Sequence, residues 1–196
     1  MPERLVVAIT GASGAVYARR LVQLLVQAGV ETHLVCSPYG QRLLADELNI
    51  TRLSAEALLG IETQGLIIHP YRDLGSRLAS GSFPTGGMIV CPASGNTLGA
   101  IAAGLGDNLI ARAAAVTLKE HRRLILVPRE MPWSQIELRN ALRISEAGGI
   151  ICPASPGFYL LPTTLDELVD FVVGRLLDLV GVEHDLNTRW GEPRRS

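Results

Sequence analysis

Short runs of Val, Ile and Leu at residues 5–9, 32–36, 66–69, 88–91, 123–127 and 149–152 contain few polar positions. Runs this short and this continuously apolar predict strands buried on both faces, the habit of a parallel sheet. Stretches at 14–27, 39–48, 97–103, 108–121, 134–146 and 165–180 instead space their apolar residues with a helical period. This alternation predicts a three-layer α/β architecture, a parallel sheet with helices on both faces. Most of the strands end in a small or polar residue followed by a turn: TG at 10–11, CS at 36–37, CPAS at 91–94, PRE at 128–130 and CP at 152–153. In an open parallel sheet these ends line up along one edge, where such folds bind ligands. Segment 72–87, RDLGSRLASGSFPTGG, fits neither period, and its Gly, Ser and Pro content predicts a long functional loop or lid.

Composition sharpens this picture. At 196 residues and 47% apolar, the chain reads as one domain over 1–196 with a sizeable core. Only 19% of residues are charged and the formal net charge is -1, which argues against nucleic acid or an acidic membrane as partner. Cys36, Cys91 and Cys152 are an odd set without zinc spacing, pointing to reduced thiols and a cytoplasmic setting. The apolar run after Arg4 is too brief for a signal peptide or a membrane span. Of the 18 Lys and Arg residues only Lys119 is a lysine, so this position either needs a compact point charge or reflects a composition bias.

Candidate chemistry begins at the first turn. Thr10 to Ala15, TGASGA, joins a strand to a helix and aims free N–H groups at an anion. A nicotinamide dinucleotide is disfavoured, because Ala15 and Tyr17 stand where that motif needs glycine and no acid follows the second strand. The alternative is a plain helix cap by Ser13. The turn PASGNT at 92–97 has the same character. Two such turns on one edge suggest a ligand with both a phosphate and a large polar ring, which a flavin mononucleotide (FMN) satisfies.

Cations follow. Arg112 and Lys119 lie seven residues apart, on one face of the predicted helix 108–121. A charged pair, Arg129 and Glu130, directly follows a buried strand, which costs desolvation unless a ligand or ion compensates. Tyr159 follows the next strand, and Arg175 interrupts an apolar helix. These residues are expected to meet on one edge and grip a second phosphorylated ligand. Lys119 is equally open to a reading in which it complements a helix C-terminus beside His121, Arg122 and Arg123.

Together, TGASGA at 10–15, CPASGNTLGAIAAG at 91–104, DNLIARAAAVTLKE at 107–120, VPREMPWS at 127–134, PASPGFY at 153–159 and RWGE at 189–192 resemble the flavin prenyltransferase family, the UbiX type, also called polyprenyl-hydroxybenzoate carboxy-lyases. The similarity spans essentially the whole chain, and the order and spacing of the motifs make it specific. It implies a flavodoxin-like or Rossmann-like protein, a homo-oligomer (a dodecamer in the family), acting in ubiquinone biosynthesis without a metal. Its members bind reduced FMN and dimethylallyl monophosphate and make prenylated FMN for a partner decarboxylase. The five-carbon unit joins nitrogen five of the flavin ring and closes on carbon six.

Carried over by position, the resemblance places Gly11, Ala12 and Ser13 at the flavin, with Ser13 at its reacting edge and Glu47 near it. Ser37, Ser94, Thr97 and Arg112 would hold FMN. Lys119, Arg129, Tyr159 and Arg175 would hold the donor phosphate, with Ser80 and Gly81 closing over it from a neighbouring subunit. Glu130 would transfer a proton to the leaving phosphate, and the tail 181–196 would pack on a neighbouring subunit. Cations so placed would stabilise charge developing on the phosphate as the allylic C–O bond breaks. Leu74 departs from relatives with tryptophan there, removing one aromatic wall, and Trp190 is another candidate wall or an interface residue. The other readings are an FMN-dependent decarboxylase of the phosphopantothenoylcysteine type, which shares the PASxNT turn but adds a PxMNxxMW segment missing here, and a non-catalytic FMN-binding protein, which would leave the cations unexplained. A direct carboxy-lyase lacks an evident acid–base pair.

Overall fold

The computed structural model describes residues 1–186 and 188. Six parallel strands form one sheet: β1 (Arg4–Ile9), β2 (Glu31–Cys36), β3 (Leu66–His69), β4 (Gly87–Ala93), β5 (Arg123–Pro128) and β6 (Ile150–Ile151), in the order β3-β2-β1-β4-β5-β6. Seven helices accompany them among the described residues: α1 (Ala15–Gln27), α2 (Pro38–Leu48), α3 (Ala55–Leu59), α4 (Gly95–Ala102), α5 (Leu109–Lys119), α6 (Gln135–Glu146) and α7 (Leu165–Val180). Strand periodicity divides the core. Leu5, Val7, Ile9, Ile89, Cys91, Ile125 and Val127 pack on the face covered by α1 and α7. Val6, Ala8, Met88, Val90, Leu124 and Leu126 pack on the face covered by α5. Alternate side chains point to opposite faces, so continuous apolarity is what a sheet covered on both sides requires.

The predicted elements are present, with shifted ends. Ser94 caps α4 by accepting from Thr97 N–H at 3.3 Å, so this helix starts at Gly95 rather than 97. The last strand shortens from the expected 149–152 to Ile150–Ile151. The short α3 and a 3₁₀ turn at Arg77–Ala79 went unread, because five- and three-residue elements are too brief to show a period.

Segment 72–87 departs from the lid expectation. It is a crossover that runs back along α5 from the end of β3 to the start of β4. Leu78 is buried in the core, and Arg122 donates to Gly81 O (2.6 Å) and Phe83 O (2.8 Å). Beneath it, the buried His33 places Nε2 2.9 Å from Glu31 Oε1 and Nδ1 2.9 Å from His69 Nε2, and His69 Nδ1 lies 3.0 Å from Ser76 Oγ. The start of the predicted intersubunit tail also folds onto its own chain: Val182 joins the core and Thr188 packs against Gly174. Trp190 and the RWGE segment lie outside the described residues.

Candidate active site

The strand order reverses between β1 and β4, so the turns leaving these strands open side by side, the crevice in which open α/β sheets bind ligands. Along this edge the order is Ser37 after β2, residues 11–14 after β1, Ser94 after β4, Arg129 and Glu130 after β5, and the 153–159 loop after β6. At about 4.8 Å per strand, the row from β2 to β6 extends about 19 Å.

Thr10, the last polar residue before the first turn, ties the two central turns together. Its Oγ1 donates to Pro92 O (2.8 Å) and accepts from Ser94 N–H (2.8 Å). Sequence reasoning passed over it, although a threonine closing a fully buried strand must find partners, and that was the available signal. Gly11 lies so close to Tyr39 that an added Cβ would come within 2.7 Å of its Cβ. Gly14 has φ +116°, a conformation glycine adopts without strain.

The start of α1 is not capped by Ser13. Glu47 reaches over from α2, and its carboxylate accepts from Gly14 N–H (3.0 Å) and Ala15 N–H (2.8 Å), placing a negative charge at a helix N-terminus. This corrects both expectations for this turn: the cap comes from another helix, and a protein carboxylate already meets the amides expected to face a phosphate. Ser13 is exposed, and Arg129 Nε donates to its carbonyl at 3.3 Å. These contacts gather Ser13, Glu47 and Arg129 into one cluster, and the exposed Glu130, next in the chain after Arg129, lines a small hollow with Gly95, Trp133 and Glu137.

On the second turn, Ser94 Oγ lies 3.0 Å from Thr97 Oγ1. The N–H groups of Gly95 and Asn96 find no acceptor among the described residues, so this helix start offers donors to an anion. Ser37 caps α2, accepting from Gly40 N–H at 3.0 Å. Tyr159 stacks edge-on to Phe171 with ring centroids 5.5 Å apart. Arg175 pairs with Asp178 at 2.9 Å, and its charge opposes the burial that pushes the Cys152 thiol up. Burial pushes Cys36 up to about 12 and Cys91 further, so these two free thiols stay protonated and unreactive at neutral pH.

The remaining predicted cations do not join this row within one chain. Lys119 ends α5, at the end of the helix that leads into the start of β5, the edge opposite Arg129. Six residues of β5 separate the two edges by about 20 Å. The cause is the crossover itself, which returns the chain to the opposite edge before the next parallel strand begins. Lys119 pairs with Glu120 at 2.9 Å beside Gly81, where a Cβ would lie 2.1 Å from Glu120 Oε1. Ser80 contacts Ser82 in the same segment. Arg112 is exposed and turned to this segment, donating to Ala79 O at 3.2 Å. The expected convergence on one edge is thus corrected within one chain for Lys119 and Arg112, which lie with Ser80 and Gly81, the two residues expected to reach the site from a neighbouring subunit.

The fold and edge define an open parallel α/β protein with a phosphate-competent crevice at its strand-order reversal, the build of a flavoprotein. The Flavoprotein family profile matches residues 1–177. The flavin prenyltransferase UbiX of Halalkalibacterium halodurans is 47% identical over 96% of this chain and 93% of its own length. A crystal structure of AnUbiX (PadA1) in complex with FMN and dimethylallyl pyrophosphate superposes with a TM-score of 0.90 at 40% identity, covering 97% of this chain and 98% of that one. A dodecameric FMN-dependent UbiX-like decarboxylase from Escherichia coli O157:H7 superposes at 0.85, with 43% identity over 97% of this chain and all of its own. The chain belongs to the flavoprotein family and, within it, to the UbiX-type flavin prenyltransferases.

Proposed function

We propose that this protein joins the dimethylallyl group of dimethylallyl monophosphate to reduced FMN, without a metal, and supplies the prenylated flavin to a partner decarboxylase in the cytoplasm. One observation carries the reading. The crevice at the strand-order reversal holds Ser13, Glu47 and Arg129 together, in a chain 40% identical to one solved with FMN and a dimethylallyl donor. The residues fit FMN: the Ser37, Ser94 and Thr97 hydroxyls with the Gly95 and Asn96 amides supply donors along a row of the right length. Reduced FMN, when bound, supplies the electron-rich ring that takes the allylic carbon.

The chain's own groups do the rest. Arg129, fixed to the Ser13 carbonyl, puts a guanidinium at the reacting edge, where it stabilises charge developing on the departing phosphate. Glu130 passes a proton to that phosphate, and Tyr159 and Arg175 close the far end of the row. Lys119, Ser80, Gly81 and Arg112 come from another subunit, since in one chain they face away. Leu138 and Leu142, one turn apart on α6, are 55% and 58% exposed, and an apolar pair on one helix face fits contact with a second copy. The relatives do not favour a cysteine decarboxylase, and a passive FMN carrier leaves Arg129 and Glu130 without a task.

Anaerobic incubation with reduced FMN and either dimethylallyl monophosphate or its pyrophosphate, followed by mass spectrometry of the extracted flavin, tests this reading. Flavin heavier by one five-carbon unit supports it. Unchanged FMN after prolonged incubation with either donor overturns it.

A further inference from the structure

Arg175 sits in a built arrangement that an exposed helical ion pair does not need. Its Nη1 donates to Asp178 Oδ2 at 2.9 Å, one turn further along α7. Pairs of this kind on a solvated helix contribute little, because two long side chains must be held against water. Here a third group stands behind the carboxylate. After α7 the chain reverses at Gly181 (φ +71°) and brings His184 back against the helix, with its side chain only 3% exposed. His184 Nδ1 accepts the Leu186 N–H at 3.2 Å, which leaves Nε2 as the nitrogen that carries the ring's hydrogen. That nitrogen lies 3.3 Å from Asp178 Oδ1, a close contact outside hydrogen-bond geometry that leaves Nε2 without another partner among the described residues. Gly174 makes room for the reversal: a Cβ there would lie 3.1 Å from His184 Cε1 and 2.6 Å from Thr188 Cγ2.

We propose that Asp178 and His184 are positioning residues for Arg175, holding its guanidinium plane so that Nε and Nη2 meet the oxygens of the prenyl donor's phosphate. The inference rests on the reading of Arg175 as a phosphate ligand. A planar fork with one arm already fixed has less freedom to lose when it takes an anion through two parallel hydrogen bonds. The buried imidazole faces one Asp178 oxygen and Arg175 holds the other, so rotation of the carboxylate is opposed from both sides.

Steady-state kinetics of the full chain with reduced FMN and varied dimethylallyl monophosphate test the assignment. Asp178→Asn should raise the KM for the donor on the order of tenfold, the size of one charge-assisted hydrogen bond, and His184→Gln should raise it by a smaller factor, each with little change in kcat and unchanged FMN affinity. In an Arg175→Ala background, Asp178→Asn should add nothing further to that KM, because its effect passes through the arginine. An equal KM increase in both backgrounds overturns the proposal, as does joint loss of FMN binding and donor binding in Asp178→Asn, which would mark a purely structural role. Wild-type protein that transfers no five-carbon unit overturns the underlying function reading instead, and the inference with it.

Discussion

Replacing Thr10 with valine removes the hydroxyl that joins the two central turns while keeping the shape of the side chain. Ser94 N–H loses its acceptor at 2.8 Å, and a buried unpaired amide costs about 1–3 kcal/mol. Pro92 O keeps the Thr10 backbone N–H at 3.2 Å, so its loss is the smaller one, about 1 kcal/mol or less. Thr10 is 1% exposed, and the added methyl recovers about 0.8 kcal/mol through apolar burial. The balance is a loss of about 2 kcal/mol. For a chain of 196 residues this lowers Tm by about 4–8 °C. Thr10→Ser, which retains Oγ, should lose less than half as much. Because the hydroxyl sets the spacing of the two turns, FMN binding followed by quenching of flavin fluorescence should weaken in the valine variant and hold in the serine variant. Equal melting temperatures for wild type and Thr10→Val would refute the argument that this bond organises the crevice.

Three further outcomes follow from the same geometry. Burial holds His33 and His69 below the ordinary histidine value of 6.5, so the unfolded chain takes up protons where the folded chain resists them. Stability therefore stays level above that value and declines as pH falls through it, and melts between pH 8 and 5 should show this decline, reduced in His69→Gln; a flat profile would contradict it. Lys119→Arg keeps the charge but exchanges a point charge for a planar fork, and should raise the donor KM several-fold at unchanged FMN affinity; wild-type kinetics would assign the solitary lysine to composition bias. Glu130→Gln should bind FMN normally and slow turnover by about 10²-fold or more, the usual contribution of a positioned acid, whereas an unchanged rate would remove Glu130 from proton transfer.

The sheet was legible because its signal is dense. Both faces of β1, β4 and β5 are covered, and no polar residue interrupts the runs Leu5–Ile9 or Leu124–Val127. The edge carrying Ser37, Ser13, Ser94 and Arg129 was equally legible, since parallel connectivity alone assigns turns after strands to one side. What failed was the placement of Lys119 on that edge. Spacing along a helix shows which residues share a face, but says nothing about which end of the sheet that face reaches. Glu47 was expected near Ser13 only through family resemblance, and its capping of α1 from 32 residues away had no local signal. The crossover at 72–87 looked loose because its anchors, Arg122 and the His33–His69–Ser76 chain, come from distant strands and helices.

Lys119 and Arg129 stand at opposite ends of β5, so one donor phosphate can touch both only where two subunits meet. Coexpressing Lys119→Ala and Arg129→Ala chains, each inactive alone, isolates this claim. If each site takes Arg129 from one chain and Lys119 from another, random assembly leaves about a quarter of the sites with both native residues, and prenyl transfer should return to that fraction. Mixed oligomers as inactive as either parent would contradict the account.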